Sequence, residues 1–189
     1  MKILEDRIKS DGIVTDHDIL KVDSFINHQI DSVLYDQMAD EFIKIFKDKK
    51  ITKVLTIETS GIAIAYAVAH KLNLPFVFAK KTESINLHGD VFSSKIVSYT
   101  HFREYDVIVS KKFLQAGDHV LILDDFLANG SALRGLLSIC AQAEATVEGI
   151  GILIEKTFQR GGRELREKGY QIESLAKIKS ISENKIEFN

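Results

Sequence analysis

The most informative stretch of the chain is Val120-Leu-Ile-Leu-Asp-Asp-Phe-Leu-Ala-Asn-Gly-Ser-Ala132. Together with the preceding residue, its apolar start predicts a buried strand, His119 to Leu123, of the kind that parallel sheets with helices on both faces contain. The small residues after this strand predict a turn, and a helix is predicted from about Gly130 to Ala143. Strand, turn and helix in this order are typical of an α/β fold.

The same stretch carries two acids, Asp124 and Asp125, at the end of the predicted strand. Ligands of open α/β sheets bind at the carboxyl ends of the strands. The free N–H groups and the dipole at the start of the next helix favour an anion, and Gly130 lets a ligand approach closely. A phosphorylated sugar fits this arrangement, with its phosphate at the turn and its hydroxyls on the carboxylates. A lone aspartate could merely cap the turn, but the whole pattern favours a binding site.

The remaining segments extend the α/β pattern on both sides of this unit. Asp31 is a predicted N-cap, and the inner side of the helix that it starts is predicted to carry Val33, Leu34, Met38, Phe42, Ile45 and Phe46. The other predicted elements are a strand 52–57, a helix ending near 72, strands 76–79, 91–100, 105–110 and 146–154, a helix 163–168, and strands 170–175 and 185–188.

Composition excludes several functional classes. The chain has 189 residues, 25 Lys and Arg against 27 Asp and Glu, and a net charge of −2, which disfavours nucleic-acid binding. The single cysteine, Cys140, excludes a disulfide framework and a multi-thiolate metal site, and its place on an apolar helical stripe predicts an inert core thiol. With neither a membrane-spanning stretch nor a signal-peptide pattern, we expect a cytoplasmic protein.

Residues 120–132 resemble the phosphoribosyl-diphosphate (PRPP) binding motif of the type I phosphoribosyltransferases. Three segments resemble the bacterial xanthine phosphoribosyltransferase subgroup more closely: Leu20-Lys-Val-Asp-Ser-Phe-Ile-Asn-His-Gln-Ile-Asp31, Asp124-Asp-Phe-Leu-Ala-Asn-Gly130 and Ile154-Glu-Lys-Thr-Phe158. The resemblance runs from about Arg7 to Phe188. It implies one domain over residues 1–189, with a mainly parallel central sheet flanked by helices. It also implies a flap at about 80–110 and a small base-binding hood from 1–30 and 156–189.

The resemblance also implies a role for individual residues. The 5-phosphate of PRPP would be held by Ala128, Asn129, Gly130, Ser131 and Ala132, and the ribose hydroxyls by Asp124 and Asp125. The diphosphate would meet the turn of Thr59, Ser60 and Gly61. The base would contact Leu20, Asn27 and Lys156. The implied reaction converts xanthine and PRPP into xanthosine 5′-monophosphate (XMP) and diphosphate, with Mg²⁺ bound through PRPP rather than by protein ligands.

The resemblance further implies a homodimer, whereas the net charge of −2 and the lack of a membrane-spanning stretch predict no nucleic-acid or membrane partner. Many 6-oxopurine transferases have an aspartate where this chain has Ala128, so no general base is assigned. Two alternatives stay open, a guanine/hypoxanthine phosphoribosyltransferase and a non-catalytic regulator that senses PRPP.

Several residues have two readings from sequence alone. Residues 80–103 form a candidate lid, in which Lys80 and Lys81 either meet diphosphate or are ordinary exposed lysines. Phe102, Phe126 and Phe158 could stack on a purine, although packing is the default role of a phenylalanine.

Overall fold

The computed structural model describes residues 1–15, 19–82, 90–98, 103–182 and 185–189. The helices are α1 (Lys2–Asp11), α2 (Ser32–Ile45), α3 (Ile62–Leu72), α4 (Ser131–Gln142) and α5 (Gly161–Glu167), with a π-helical turn at Asp23–Asn27. The strands are β1 (Ile13–Thr15), β2 (Ile19–Lys21), β3 (Lys53–Ile57), β4 (Phe76–Thr82), β5 (Val91–Ser98), β6 (Arg103–Ser110), β7 (His119–Leu127), β8 (Thr146–Lys156), β9 (Ile172–Ser182) and β10 (Lys185–Phe188). No helix within the described ranges is long and apolar enough to cross a membrane.

Eight of the strands form one sheet in the order β10-β9-β8-β7-β3-β4-β6-β5, and β1 and β2 form a separate hairpin. The five strands β9, β8, β7, β3 and β4 are parallel to one another. β10 pairs antiparallel with β9, and the β5–β6 hairpin adds antiparallel strands beyond β4. The predicted α/β architecture with a mainly parallel central sheet is confirmed.

Two apolar clusters cover the two faces of the sheet. The first packs α1, α2, α3 and the π-helical turn against one face, and the second packs α4 and α5 against the other. Strand β7 serves both, because successive side chains of a strand point to opposite faces. Leu121 and Leu123 belong to the first cluster, and Val120 and Ile122 belong to the second. This two-sided burial explains the continuous apolar run in the sequence.

Local signals in the sequence find most helix positions. Asp31 caps α2, since its carboxylate accepts a hydrogen bond from the N–H of Leu34 at 3.1 Å. The predicted apolar stripe of α4 is buried. Burial is the main cause that raises the pKa of the Cys140 thiol to about 12, and the charge of Asp118 also raises it. The assignment of Val33 to the inner side of α2 is wrong, because its side chain is 67% exposed. At about 100° per residue, Val33 lies roughly half a turn away from the buried Phe42.

Pairing between strands extends several elements beyond their predicted ends. β7 continues past Leu123 to Leu127, because its residues remain paired with β8 as far as Glu155. β9 reaches Ser182 instead of ending at 175, because it pairs with β8 and with β10. α1 was not predicted; only Leu4 and Ile8 are buried among its charged residues.

The predicted strands of the flap are present within the residues that the structure describes. β5 pairs antiparallel with β6, from Val91 opposite Ser110 to Ser98 opposite Arg103. The rest of the candidate lid, at 83–89 and 99–102, lies outside the described residues, and so does Phe102.

The buried polar or charged side chains in the described part of the chain are Thr56, Asp124, Asp125 and Glu155. Glu155 is 2% exposed, and both of its oxygens accept hydrogen bonds from the Arg166 guanidinium, at 2.6 and 2.7 Å. The hydroxyl of Ser174 donates a third at 2.5 Å. Burial alone would raise the pKa of Glu155, but these hydrogen bonds and the charges of Arg166 and Lys177 outweigh burial and lower it.

We expect this carboxylate to make stability depend on pH. Because the folded pKa of Glu155 lies below the ordinary 4.5, the carboxylate stabilises the fold above that pH, and the contribution is lost as pH falls through the folded pKa. Denaturant unfolding of the wild type and Glu155→Gln should therefore show a free-energy gap that is constant near neutrality and shrinks below about pH 4.5. A gap that stays unchanged in acid would contradict the assignment.

Candidate active site

A cavity of about 330 Å³ lies at the carboxyl ends of β3 and β7. Its lining consists of Ile57, Glu58, Ser60, Lys81, Ile96, Tyr105 and the continuous segment 124–133. The cavity therefore brings together both acids, the whole predicted phosphate loop 128–132 and one residue of the predicted diphosphate turn. Its position agrees with the general location of ligand sites in open α/β sheets.

The acid pair is buried and internally hydrogen-bonded. Asp124 and Asp125 are 4% and 6% exposed. The N–H of Asp125 donates to Asp124 Oδ1, and the N–H of Phe126 donates to Asp125 Oδ1, both at 3.0 Å. These bonds fix the carboxylates at the edge of the cavity, where their remaining oxygens can accept hydroxyl protons.

Burial is the main influence on the charge of Asp124. It raises the pKa of Asp124 well above the ordinary value, and the neighbouring charge of Asp125 raises it further. The ammonium of Lys81 acts in the opposite direction.

The predicted phosphate loop forms a tight turn that leads into α4. Asn129 Oδ1 accepts a hydrogen bond from the N–H of Ser131 at 2.9 Å, which tightens the turn. Gly130 has φ 80° and ψ 13°, a left-handed conformation that a side chain would disfavour. The loop then enters the twelve-residue α4, whose first N–H groups have no intrahelical acceptor.

The predicted diphosphate turn lies between β3 and α3. Its first peptide bond, between Glu58 and Thr59, is cis. Thr59 is exposed, Ser60 lines the cavity, and Gly61 is buried against the acid pair. A Cβ on Gly61 would lie 2.0 Å from Thr56 Oγ1 and 2.9 Å from Asp124 Oδ1. Glycine is required here because the turn and the acid pair are in direct contact.

The three predicted base residues lie on three different elements, namely β2, the π-helical turn and β8. Asn27 ends the π-helical turn and donates a hydrogen bond from Nδ2 to Asp125 Oδ2 at 3.2 Å. Leu20 is buried in the apolar cluster around that turn, and Lys156 is the last residue of β8. Asn27 thus contacts the acid pair, and among the described residues that line the cavity none of the three occurs.

Some residues of the cavity lining were not predicted from the sequence, and two of them come from a distant hairpin. Ile96 and Tyr105 face each other across the β5–β6 hairpin. Glu58 directly precedes the diphosphate turn, and its Oε1 accepts a hydrogen bond from the N–H of Lys81 at 2.6 Å. Of the two lysines, Lys81 lines the cavity, whereas the ammonium of Lys80 lies 6.0 Å from the ring centroid of Phe78.

Comparison with known proteins identifies the family. The model of the phosphoribosyl transferase domain matches residues 29–185. The chain belongs to the phosphoribosyltransferase family. The matched residues include the predicted diphosphate turn, the acid pair and the predicted phosphate loop.

Several curated phosphoribosyltransferases are similar over nearly the whole chain. The xanthine phosphoribosyltransferase of Finegoldia magna is 58% identical, and the alignment covers 100% of this chain and 99% of that protein. The xanthine phosphoribosyltransferase of Lachnoclostridium phytofermentans is 57% identical, with 96% and 94% covered.

A solved phosphoribosyltransferase shares the fold. The adenine phosphoribosyltransferase of Rhodothermus marinus superposes with a TM-score of 0.75 at 20% identity, over 94% of this chain and 100% of that one. This likeness supports the type I phosphoribosyltransferase fold that the sequence resemblance implied.

Proposed function

We propose that the protein transfers the phosphoribosyl group of PRPP to N9 of xanthine, which yields XMP and diphosphate. One structural observation carries the proposal: a buried pair of aspartates and a helix-start loop line the same cavity. The xanthine specificity is supported by the names of relatives at 58% and 57% identity. Together these observations favour a phosphoribosyl donor and a 6-oxopurine acceptor.

In this proposal the loop 128–132 binds the 5-phosphate through the N–H groups at the start of α4. Asp124 and Asp125 accept hydrogen bonds from the two ribose hydroxyls. A charged acceptor makes such a bond roughly twice as strong as a neutral one. The sugar is then held from both ends, with its anomeric carbon directed into the cavity.

Xanthine, which is fairly acidic, first loses a proton to solvent; transfer then breaks the bond between C1 of the ribose and the diphosphate oxygen while N9 of the deprotonated base forms the new bond to C1. Positive charge develops on the ribose and negative charge on the leaving group, as in glycoside cleavage. Holding the base and the sugar in line can supply about 7–11 kcal/mol. In this proposal the carboxylates of the acid pair stabilise the developing positive charge, and Ser60 and Lys81, which line the same cavity, meet the departing diphosphate.

Mg²⁺ fits this site as a companion of the diphosphate. Among the described residues no group of three His, Cys, Asp or Glu is arranged to hold a metal ion. Mg²⁺ commonly binds through substrate phosphates, so the diphosphate of PRPP, rather than protein ligands, would hold the ion beside the cavity. When bound, the ion neutralises charge on the leaving group.

The base would be recognised by Asn27, Lys156 and the apolar Leu20. Asn27 presents both a donor and an acceptor, and the ammonium of Lys156 can donate to a carbonyl oxygen of xanthine. The contact of Asn27 with Asp125 brings the base side next to the ribose side. Ala128 has no group that moves a proton, so no general base is assigned.

A panel of bases tests the proposal. Purified protein with PRPP and Mg²⁺ is offered xanthine, guanine, hypoxanthine and adenine, and diphosphate release is followed for each. We expect the highest kcat/KM for xanthine, because polar groups left unpaired by the wrong base can lower it by as much as about 10⁴-fold. Preference for guanine or hypoxanthine would replace the proposed acceptor, and no release with any base would refute a transferase.

Lys156→Ala should affect the base much more than PRPP. We expect KM for xanthine to rise by about 10-fold or more, since a hydrogen bond to a charged group contributes about 1.5–3 kcal/mol. KM for PRPP should stay within about twofold, because losing one base contact leaves the sugar contacts intact. Lys179→Ala is the matched control, since Lys179 is exposed and pairs with Glu187. Equal losses for both substrates would contradict the role of Lys156.

We also propose that the protein is a homodimer, as the family resemblance implies. Light scattering during size-exclusion chromatography should give twice the 21.3 kDa of the chain. A monomeric mass at micromolar concentration would argue against this assembly.

A further inference from the structure

The ion pair between Glu155 and Arg166 lies behind the phosphate loop, outside the described cavity lining. Glu155 sits opposite Leu127, the residue that precedes the loop, in the pairing of β7 with β8. Moving a carboxylate out of water costs several kcal/mol, and apolar side chains can often replace a buried ion pair without loss of stability. A gain in stability therefore explains this ion pair poorly. The position of α5, which the pair fixes, explains it better.

The pair fixes the orientation of α5. This helix has seven residues, and isolated helices of such length are marginal, so its position depends on tertiary anchors. Arg166 anchors its last turn through the two bonds to Glu155 and a third bond, from Nη2 to the carbonyl of Ile172 at 3.2 Å. Gly162 lets the first turn approach the same pair, because a Cβ there would lie 2.0 Å from Glu155 Oε1.

The start of α5 packs directly against the backbone of the phosphate loop. The N–H of Gly161 donates to the carbonyl of Ala128 at 3.1 Å. A Cβ on Gly161 would lie 2.4 Å from the carbonyl carbon of Asn129 and 2.5 Å from the nitrogen of Gly130. Backbone therefore meets backbone, and a displacement of α5 must displace the loop.

We infer that Glu155 and Arg166 are positioning residues for the 5-phosphate, which they influence through α5 and Gly161. The inference rests on the proposed role of the loop in binding that phosphate. The ion pair holds α5 in place through Arg166, and the start of α5 in turn holds the loop through Gly161. The diphosphate turn belongs to the connection from β3 to α3, so its ligand should not respond to the same change.

Binding of two ligand fragments tests the inference. Ribose 5-phosphate carries the phosphate that the loop is proposed to bind, and diphosphate with Mg²⁺ is the ligand proposed for the diphosphate turn. Calorimetry measures the binding of each ligand separately. For Arg166→Met we expect binding of ribose 5-phosphate to weaken by about 10- to 100-fold, since misplacement by about 1 Å can cost that much. Diphosphate binding should remain within about twofold of the wild type, because its groups stay in position.

Two further variants make the test specific. Arg166→Lys retains the charge without the bidentate geometry, so it should rescue ribose 5-phosphate binding in part. Arg163→Met removes the same charge from the exposed side of α5, where Arg163 lies 4.0 Å from Glu167, and should bind both ligands as the wild type does. If Arg166→Met does not fold, the double variant Glu155→Gln, Arg166→Met removes both charges together and avoids an unpaired buried charge.

The outcomes separate the inference from the proposed function. Unchanged ribose 5-phosphate binding in folded Arg166→Met overturns the inference alone. Equal weakening of both ligands also overturns it, because that result indicates a general loss of structure. Absence of ribose 5-phosphate binding in the wild type refutes the proposed role of the loop, and with it the inference.

Discussion

Replacing Asp124 and Asp125 together with asparagine should lower the rate of PRPP turnover by about 10³-fold, because hydrogen bonds to charged groups contribute about 1.5–3 kcal/mol each. Asparagine keeps the shape of the side chains and removes the negative charge that the ribose hydroxyls and the developing cation require. The measurement is kcat/KM for PRPP, followed through diphosphate release.

The fold should survive this double substitution. Burial raises the pKa of Asp124, which means that folding disfavours its charged form, so loss of that charge should not lower the free energy of unfolding. Asp36→Asn with Asp40→Asn is a matched control, because both of these aspartates are 64% exposed on α2 and pair with Lys71. Near-normal turnover in the folded Asp124 and Asp125 variant would contradict the assigned site.

Gly61→Ala should have a large effect on activity, second to that of the double substitution of the acid pair. The added Cβ would lie 2.0 Å from the Oγ1 of Thr56, 2.9 Å from Asp124 Oδ1 and 3.2 Å from the carbonyl oxygen of Ile57. Thr56 is fully buried, so the turn must move instead. We expect kcat/KM to fall by about 100-fold, which a displacement of about 1 Å can cause, and stability to fall by about 1–3 kcal/mol.

A compensating substitution tests the steric explanation. Thr56→Ala removes the nearest of the three atoms, so the double variant Thr56→Ala, Gly61→Ala should recover part of the stability that Gly61→Ala loses. The contact with Asp124 remains, so activity should recover less than stability does. Wild-type kcat/KM in Gly61→Ala would show that the turn does not pack on the acid pair in the working enzyme.

That Asp124, Asp125 and residues 128–132 would lie together at one cavity could be predicted because their signal is local. Four apolar residues, two acids and a small-residue turn occur within thirteen positions. Each of these features can be interpreted without knowledge of a distant part of the chain. The cap at Asp31 and the buried stripe of α4 were predicted for the same reason. Base contacts came from the resemblance and not from local pattern, and they remain proposals.

The remaining features depend on contacts between distant segments. Ile96 and Tyr105 reach the cavity only because β6 pairs with both β4 and β5. The extension of β7 past the acid pair requires β8 as a partner, and the sequence of β7 alone does not reveal that partner. α1 carries two buried apolar residues among charged ones, which is too weak a pattern to predict a packed helix.

A crystal structure with XMP bound would show where the sugar and its phosphate bind. We expect the 5-phosphate to accept hydrogen bonds from the N–H groups of 128–132. We also expect both ribose hydroxyls to lie within hydrogen-bonding distance of Asp124 and Asp125, with the base directed toward Asn27. XMP bound elsewhere on the protein, or a phosphate away from this loop, would contradict these assignments.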